Sequence, residues 1–406
     1  MNFRKLTFCM ILLLLGAGMV FWACAKDDGG DGDPAHKTGD DDDGLPAPDD
    51  DDDSGDTGDD DDDDDVTDDD DTGWHPPDDD DSWHPPDDDD SWHPPDDDTD
   101  DDADDDDDDL SYPNDPMDEG PYVAGQKNLT YPDAGTGLNK TLMAYYPSQD
   151  NGTSVDVQEG RRPIVLIHAG EGIKKEVYAS YARHLATWGY AALIFENHVR
   201  SEVKLSDAVT GIIDWLATLV GGDTAPLGPG IDLGKLGAVG HGLGGKIIYH
   251  ASLDEPRLRV ACALDPDDAK PDVPIPPGDY FSMLDGPMAL VDIATMHVGS
   301  GQGGDCVDED ENFEQFYLLS PKPSIEINIL GAGYTAFLDN PNCGTACADC
   351  TAGTANHLHV KDLARRYVTA FFNVHLRGLS AYSQWITGTG IQEDEVNGDV
   401  TSQHKE

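Results

Sequence analysis

The chain has 406 residues and a formal net charge of −60 at pH 7. The acidic residues are unevenly distributed, because residues 27–109 hold 45 Asp, no Glu and a single basic residue, Lys37. Residues 110–406 carry 39 acidic and 20 basic residues and are numerous enough for one large α/β domain with a full core. No basic residues cluster, so the composition argues against nucleic acid as a partner.

The N-terminus reads "MNFRKLTFCMILLLLGAGMVFWACAK", a positive start with Arg4 and Lys5 followed by an apolar run. This layout predicts a secretory signal. Ala23 and Cys24 resemble the end of a bacterial lipoprotein signal, so residues 1–24 are predicted to be a lipoprotein-type signal peptide, with Cys24 lipidated as the mature N-terminus. An uncleaved helix is the alternative, since the run is near the ~20 residues that cross a bilayer. Both interpretations predict an exported protein attached to a membrane, in a bacterial cell envelope or at its surface.

Residues 25–109 are predicted to be a disordered linker, because they are nearly devoid of apolar residues and their Asp side chains repel one another. The unit "WHPPDDDDS" recurs with Trp74, Trp83 and Trp92 at equal spacing, and its paired prolines favour an extended backbone. An extended spacer is the first interpretation. The alternatives are weak Ca²⁺ binding by the Asp runs and soft-metal binding by His75, His84 and His93. Calcium binding would make the chain a surface or adhesive protein.

Residues 110–406 alternate between apolar runs of strand length and amphipathic stretches of helix length. This alternation predicts an α/β domain with a doubly wound, mostly parallel sheet. Ser206 or Asp207 is the expected N-cap of the second helix. Strands are predicted at 141–147, 161–170, 190–197, 258–268, 288–301 and 323–333, and helices at 174–190, 206–221 and 359–378. Residues 233–252 are predicted to form one further strand, a sharp turn and a helix.

Several segments in this order resemble the α/β-hydrolase fold, in particular its chlorophyllase, dienelactone-hydrolase and polyester-hydrolase-like branch. The resemblance extends over roughly 128–392. The similar segments are "LIHAGEG" at an oxyanion loop, "VGHGLGG" at a nucleophile elbow and "ALDPDD" at the position of the acid. They continue with "MHVGSGQGGDC" after the following strand, "GAGYTAFLD" at the position of the base and "YVTAFFNVHLRG" at the final helix.

The resemblance implies a triad in which two members are substituted. Gly242 stands at the nucleophile position, Asp265 at the acid position and Tyr334 at the base position. Glycine has no nucleophile, and tyrosine, with a pKa near 10, is a poor base at neutral pH. The implied oxyanion donors are the N–H of Leu243 and that of Ala169 or Gly170. Glycine suits the positive-φ turn of an elbow.

These substitutions predict a non-catalytic protein that binds a small apolar, ester-like ligand or a cell-surface partner. The ligand or partner would occupy the pocket that holds the substrate in active members of this fold. An active carboxylic-ester hydrolase with unconventional residues is the alternative. His357 and His359 would then be the alternative base, or would hold a metal-activated water together with Asp265. Apart from Ca²⁺, no cofactor is predicted.

Four cysteines of the exported part, Cys306, Cys343, Cys347 and Cys350, are predicted to form two disulfides, because export favours oxidation. Cys262, in an apolar strand, is the expected buried odd cysteine. A zinc site made by the three clustered cysteines of "CGTACADC" and one histidine is the alternative. The acidic stretch 308–314 is expected to be a solvated loop, with Ca²⁺ binding as its alternative.

Overall fold

The computed structural model describes residues 111–133, 136–148, 160–196, 199–222, 226–270, 275–302, 306–348 and 350–406. All of them belong to one compact unit, Asp98–Glu406. The predicted signal at 1–24 with Cys24, the Asp-rich linker and the Trp-His-Pro-Pro repeats lie outside the described residues.

One nine-stranded sheet organises the described part of the chain, and the prediction of an α/β fold with a mostly parallel sheet is confirmed. The strand order is β1-β2-β4-β3-β5-β6-β7-β8-β9. The neighbours from β4 to β8 pair in parallel, whereas β1, β2 and β9 are antiparallel additions at the two edges. The strands are β1 Val123–Pro132, β2 Asn139–Ser148, β3 Arg162–His168, β4 Ala191–Phe195, β5 Ile231–His241, β6 Leu258–Leu264, β7 Ala294–Gln302, β8 Ser324–Gly333 and β9 Val400–Lys405.

Helices cover both faces of the sheet, which explains why the central strands are apolar without alternation. In β3, Val165 and Ile167 pack into one core layer and Ile164 and Leu166 into the other. The first layer also contains α1 Ala179–Thr187, α5 His357–His375 and α6 Thr389–Asn397, and the second contains α2 Glu202–Leu219 and α3 Leu243–Asp254. The short α4 Phe313–Leu319 contributes to both. The domain is therefore doubly wound, as predicted.

The second helix begins earlier than predicted. Ser201 is its N-cap and accepts a hydrogen bond from the backbone N–H of Lys204. Ser206 and Asp207, the expected caps, lie inside the helix, and Ser206 is buried. The predicted N-cap was wrong because Glu202–Leu205 already form the first helical turn, and Leu205 of this turn packs in the core.

The five described cysteines form two disulfides, Cys306–Cys350 and Cys343–Cys347, and leave Cys262 as a free, fully buried thiol. The prediction of two disulfides among these four cysteines, with Cys262 left over, is confirmed, and the zinc alternative fails because its three cysteines are all bonded to other cysteines. Within the described residues, no helix is both long and apolar enough to span a bilayer.

Candidate functional site

Gly242 forms a sharp turn between β5 and α3, at the carboxyl edge of the sheet. Its φ is +52° and its ψ −123°, a conformation that an L-residue rarely adopts. The backbone packs tightly around it, since a Cβ on Gly240 would lie 2.2 Å from the carbonyl oxygen of Gly244. The turn is held by a 3.0 Å hydrogen bond from the Gly242 N–H to the carbonyl of Leu264. The predicted positive-φ turn is therefore present at "GHGLGG".

The side chain of Tyr334 occupies the space that a side chain at position 242 would need. A Cβ built on Gly242 would lie 2.1 Å from the Tyr334 hydroxyl oxygen and 3.0 Å from its Cζ. Tyr334 begins a short 3₁₀ helix, Tyr334–Phe337, directly after β8. The two positions that the sequence singled out are thus in direct contact, and each residue constrains the other.

A chain of hydrogen bonds fixes Tyr334 to the elbow and to the loop after β3. The Gly170 N–H donates to the Tyr178 hydroxyl at 3.0 Å, and this hydroxyl lies 2.8 Å from Nδ1 of His241. Nε2 of His241 lies 3.2 Å from the carbonyl oxygen of Tyr334. Because a carbonyl can only accept, Nε2 carries the proton and Nδ1 accepts from the Tyr178 hydroxyl. Burial lowers the pKa of His241 to about 3, so its ring is neutral.

The backbone donors expected after β3 are already engaged. The Ala169 N–H donates to the carbonyl of Phe195 at 3.0 Å, and the Gly170 N–H is the donor to Tyr178. Neither is left to hold an oxyanion in this structure, contrary to the expectation. Leu243 is the first residue of α3, where helix geometry leaves N–H groups without intrahelical acceptors, so its N–H remains the one expected donor at the turn.

Asp265 follows β6, as expected of the acid position, and is buried with a φ of +46°. Its carboxylate accepts from the backbone N–H of Ser300 at 3.0 Å and from the Ser300 hydroxyl at 2.5 Å. Burial raises the pKa of Asp265 to about 6, and the two Ser300 donors oppose that rise. Its hydrogen-bond partner is thus a serine, and no described histidine bonds to it.

The alternative bases do not meet Asp265. His359 is exposed and its Nε2 lies 3.0 Å from an oxygen of Asp399, near the edge strand β9. His357 is the first residue of α5. The alternative combination of His357, His359 and Asp265 is therefore not assembled, and the described residues contain no group of three His, Cys, Asp or Glu that could hold a metal ion.

A cavity of about 440 Å³ opens above the Gly242 turn. Two carboxylates, Glu171 and Asp267, face it, and Asp267 is partly buried. Burial raises the pKa of Asp267 to about 7. The lining residues are Glu171, Gly172, Leu243, Asp267, Cys306, Tyr334, Thr345 and Ala346. The cavity wall thus includes a residue next to the Gly242 turn, Tyr334 and one cysteine of a disulfide.

A buried lysine near this cavity was not predicted from the sequence. Lys246 on α3 is fully buried, with its ammonium 2.9 Å from Glu202 and 3.4 Å from Asp268. Its ammonium also lies 4.3 Å from the centre of the Tyr280 ring. Sequence reasoning also missed Tyr178 and Asp267. A second acid two residues after Asp265 was visible in "ALDPDD", but the role of Tyr178 depends on a contact across the fold.

No protein-family model matches the chain, and a search of curated proteins finds no significant relative.

Proposed function

We propose that this domain is a non-hydrolytic member of the α/β-hydrolase fold, which binds a ligand or partner in the cavity above Gly242. The single observation that carries the proposal is the contact between Gly242 and Tyr334. The hydroxyl of Tyr334 lies 2.1 Å from where a Cβ would be, so the position of a nucleophilic side chain is filled by another residue.

The surroundings of this contact support the same interpretation. Acyl transfer needs a nucleophile, a base and backbone donors for the oxyanion. Here the turn has a glycine, burial raises the pKa of Tyr334 well above its usual range, and the Gly170 N–H is bonded to Tyr178. A hydroxyl that resists ionisation cannot serve as a base at neutral pH.

The proposal is tested by assaying the purified protein with p-nitrophenyl esters and by labelling it with a fluorophosphonate. We expect turnover no faster than that of the Asp265→Ala variant and no covalent label. Clear turnover that Asp265→Ala abolishes would overturn the proposal.

A reversion experiment tests the reason for the inactivity. Gly242→Ser alone should give no measurable esterase activity, because the serine side chain overlaps the Tyr334 hydroxyl. Gly242→Ser with Tyr334→His removes the overlap and supplies a base, so it should raise turnover above that of either single variant. Strong turnover by Gly242→Ser alone would show that the base is elsewhere.

We further propose that the domain is exported and attached to a membrane by lipid at Cys24. The N-terminal sequence supports this proposal. Expression in a bacterium fed with labelled palmitate should label the native chain and leave Cys24→Ser unlabelled. Equal labelling of both would contradict it.

A further inference from the structure

The hydroxyl of Tyr334 has no partner that explains its position. The side chain is only 8% exposed and lines the cavity, and its hydroxyl forms no hydrogen bond with any described residue. Because the hydroxyl oxygen is accessible from the cavity and has no hydrogen-bond partner among the described residues, it can donate to or accept from a ligand there.

The charge of the cavity indicates which group that is. Glu171 and Asp267 line it, and none of its described lining residues is Lys, Arg or His. The nearby ammonium of Lys246 is directed to Glu202 and Asp268 and does not line the cavity. Two carboxylates without a cation on the same wall favour a positively charged ligand.

The hydrogen-bonding capacity of Asp267 agrees with this conclusion. Its Oδ1 accepts from the Ala269 N–H at 2.8 Å, and its Oδ2 makes no hydrogen bond with a described residue. Glu171 is an exposed residue at the rim of the cavity. A primary ammonium has three donors, which match one oxygen of Asp267, the carboxylate of Glu171 and the hydroxyl of Tyr334.

We propose that the cavity binds a small organic cation, a primary amine whose ammonium is held by Asp267, Glu171 and the Tyr334 hydroxyl. Its apolar part lies against Leu243 and Ala346. This inference rests on the proposed binding function and replaces the ester-like ligand expected from the sequence. An organic cation fits better than a metal ion, since no three metal-binding side chains are grouped among the described residues.

Binding of an ammonium requires the ionised form of Asp267, which makes the affinity depend on pH. Burial raises the pKa of Asp267 to about 7; Glu311 and Asp265 also raise it, and Lys246 lowers it. The groups around Asp267 therefore carry both positive and negative charge, and burial has the largest effect on its pKa. The affinity for an amine that stays protonated should increase from pH 6 to pH 8 and then level off.

The experiment uses the full chain with benzylamine, and with benzyl alcohol and benzoate as neutral and anionic analogues of the same shape. Binding is measured by calorimetry and by the shift in melting temperature, at about 0.15 M salt to screen the Asp-rich stretch. The Asp-rich stretch has the same charge in the folded and the unfolded protein, so benzylamine bound to it does not shift the melting temperature. A shift therefore reports binding to the folded domain. We expect benzylamine to stabilise the protein and the two analogues to have no effect.

Variants identify the site. Asp267→Asn and Glu171→Gln should each weaken benzylamine binding at least fivefold, and Asp267→Asn should also abolish its pH dependence between 6 and 8. The matched control is Glu393→Gln, which removes one carboxylate from an exposed position of α6 away from this cavity. It should bind benzylamine like the native protein.

Three results would overturn the inference: no stabilisation by millimolar benzylamine, equal stabilisation by benzyl alcohol or benzoate, or unchanged affinity in Asp267→Asn. Folding of each variant is checked by its own melting curve, and Glu171→Gln, at an exposed position, keeps the test valid if Asp267→Asn unfolds. The proposed function fails separately, through ester turnover. If the protein turned over esters and still bound benzylamine through Asp267, the non-hydrolytic proposal would fail and the cation site would stand.

Discussion

Gly242 and Tyr334 are best understood as a single unit. The glycine permits a backbone conformation with φ of +52°, and its missing side chain leaves the space that the tyrosine hydroxyl fills. The sequence alone located both positions through their order in the chain. It could not show that they touch, because that contact depends on how β5 and β8 are placed in the sheet.

Gly242→Ala should therefore destabilise the domain by about 3 kcal/mol, through the clash with Tyr334 and the positive φ together. Adding Tyr334→Phe removes the hydroxyl and should recover part of the loss. The free energy of unfolding is measured by denaturant titration. Gly378→Ala is the control, because Gly378 also has a positive φ but no atom within 4 Å of its built Cβ. It should cost only about 1 kcal/mol, and an equal loss at Gly242 would argue against the clash.

Asp267→Asn should stabilise the domain at pH 8 by about 2 kcal/mol and by distinctly less at pH 5. The folded-state pKa of Asp267 is about 7, raised from 3.8 chiefly by burial. Between these two values the folded state holds more protons than the unfolded state, so the contribution of this group to stability falls as pH rises. Asparagine keeps the acceptor for Ala269 and removes the charge. Melting curves at both pH values check it, and a loss of stability at pH 8 would contradict it.

At the scale of elements, apolar periodicity was enough to predict the central strands and the helices that cover them. It was not enough for the edges. The strands β1 and β9 are mostly exposed and carry polar side chains, α6 has few apolar positions, and α4 is only seven residues long. Such elements are stabilised by neighbours rather than by their own pattern.

The helix α5 holds the start of the described chain through one arginine. Arg366 is mostly buried and contacts both Asp394 and Asp115 through paired hydrogen bonds of 2.7 to 2.9 Å. Arg366→Met should cost about 3–5 kcal/mol, since it leaves the carboxylates of Asp115 and Asp394 without their counter-charge. Arg365→Met is the matched control on the same helix. Its partner Asp362 is more exposed, so the loss should be 1 kcal/mol or less. Equal losses in thermal unfolding would contradict the assignment.

The Cys306–Cys350 disulfide closes a loop of about 44 residues and forms part of the cavity wall. Chain entropy predicts that Cys306→Ser with Cys350→Ser costs about 4 kcal/mol of stability. Cys343→Ser with Cys347→Ser, which opens a separation of only four residues, should cost less. Denaturant titration compares the two double variants, and the reverse order would contradict the entropic argument.

At the scale of the whole molecule, both core layers are built from residues beyond 121. The segment 112–118 is nevertheless tied to the domain. The Tyr112 ring stacks on Trp188 with centroids 5.5 Å apart, and the Trp188 indole N–H donates to the carbonyl of Asp118 at 2.9 Å. The composition predicted a boundary near residue 110 from the change in charge, but these long-range contacts could not be predicted from composition.

A chain that begins at residue 111 should therefore melt within a few degrees of the full chain at moderate salt. A chain that begins at residue 123 should melt at least 5 °C lower, because it loses the contacts of Tyr112, Asp115 and Asp118. Calorimetry compares the three proteins. Equal melting of the shorter chain would show that these contacts contribute nothing.

The contact between Gly242 and Tyr334 also limits the order in which mutations can accumulate. A serine at 242 and a tyrosine at 334 cannot coexist in this backbone, since their atoms would overlap. A side chain can therefore enter position 242 only after the residue at 334 has become smaller or has moved. The present pair thus resists any single substitution at position 242, and the two positions have to change in a fixed order.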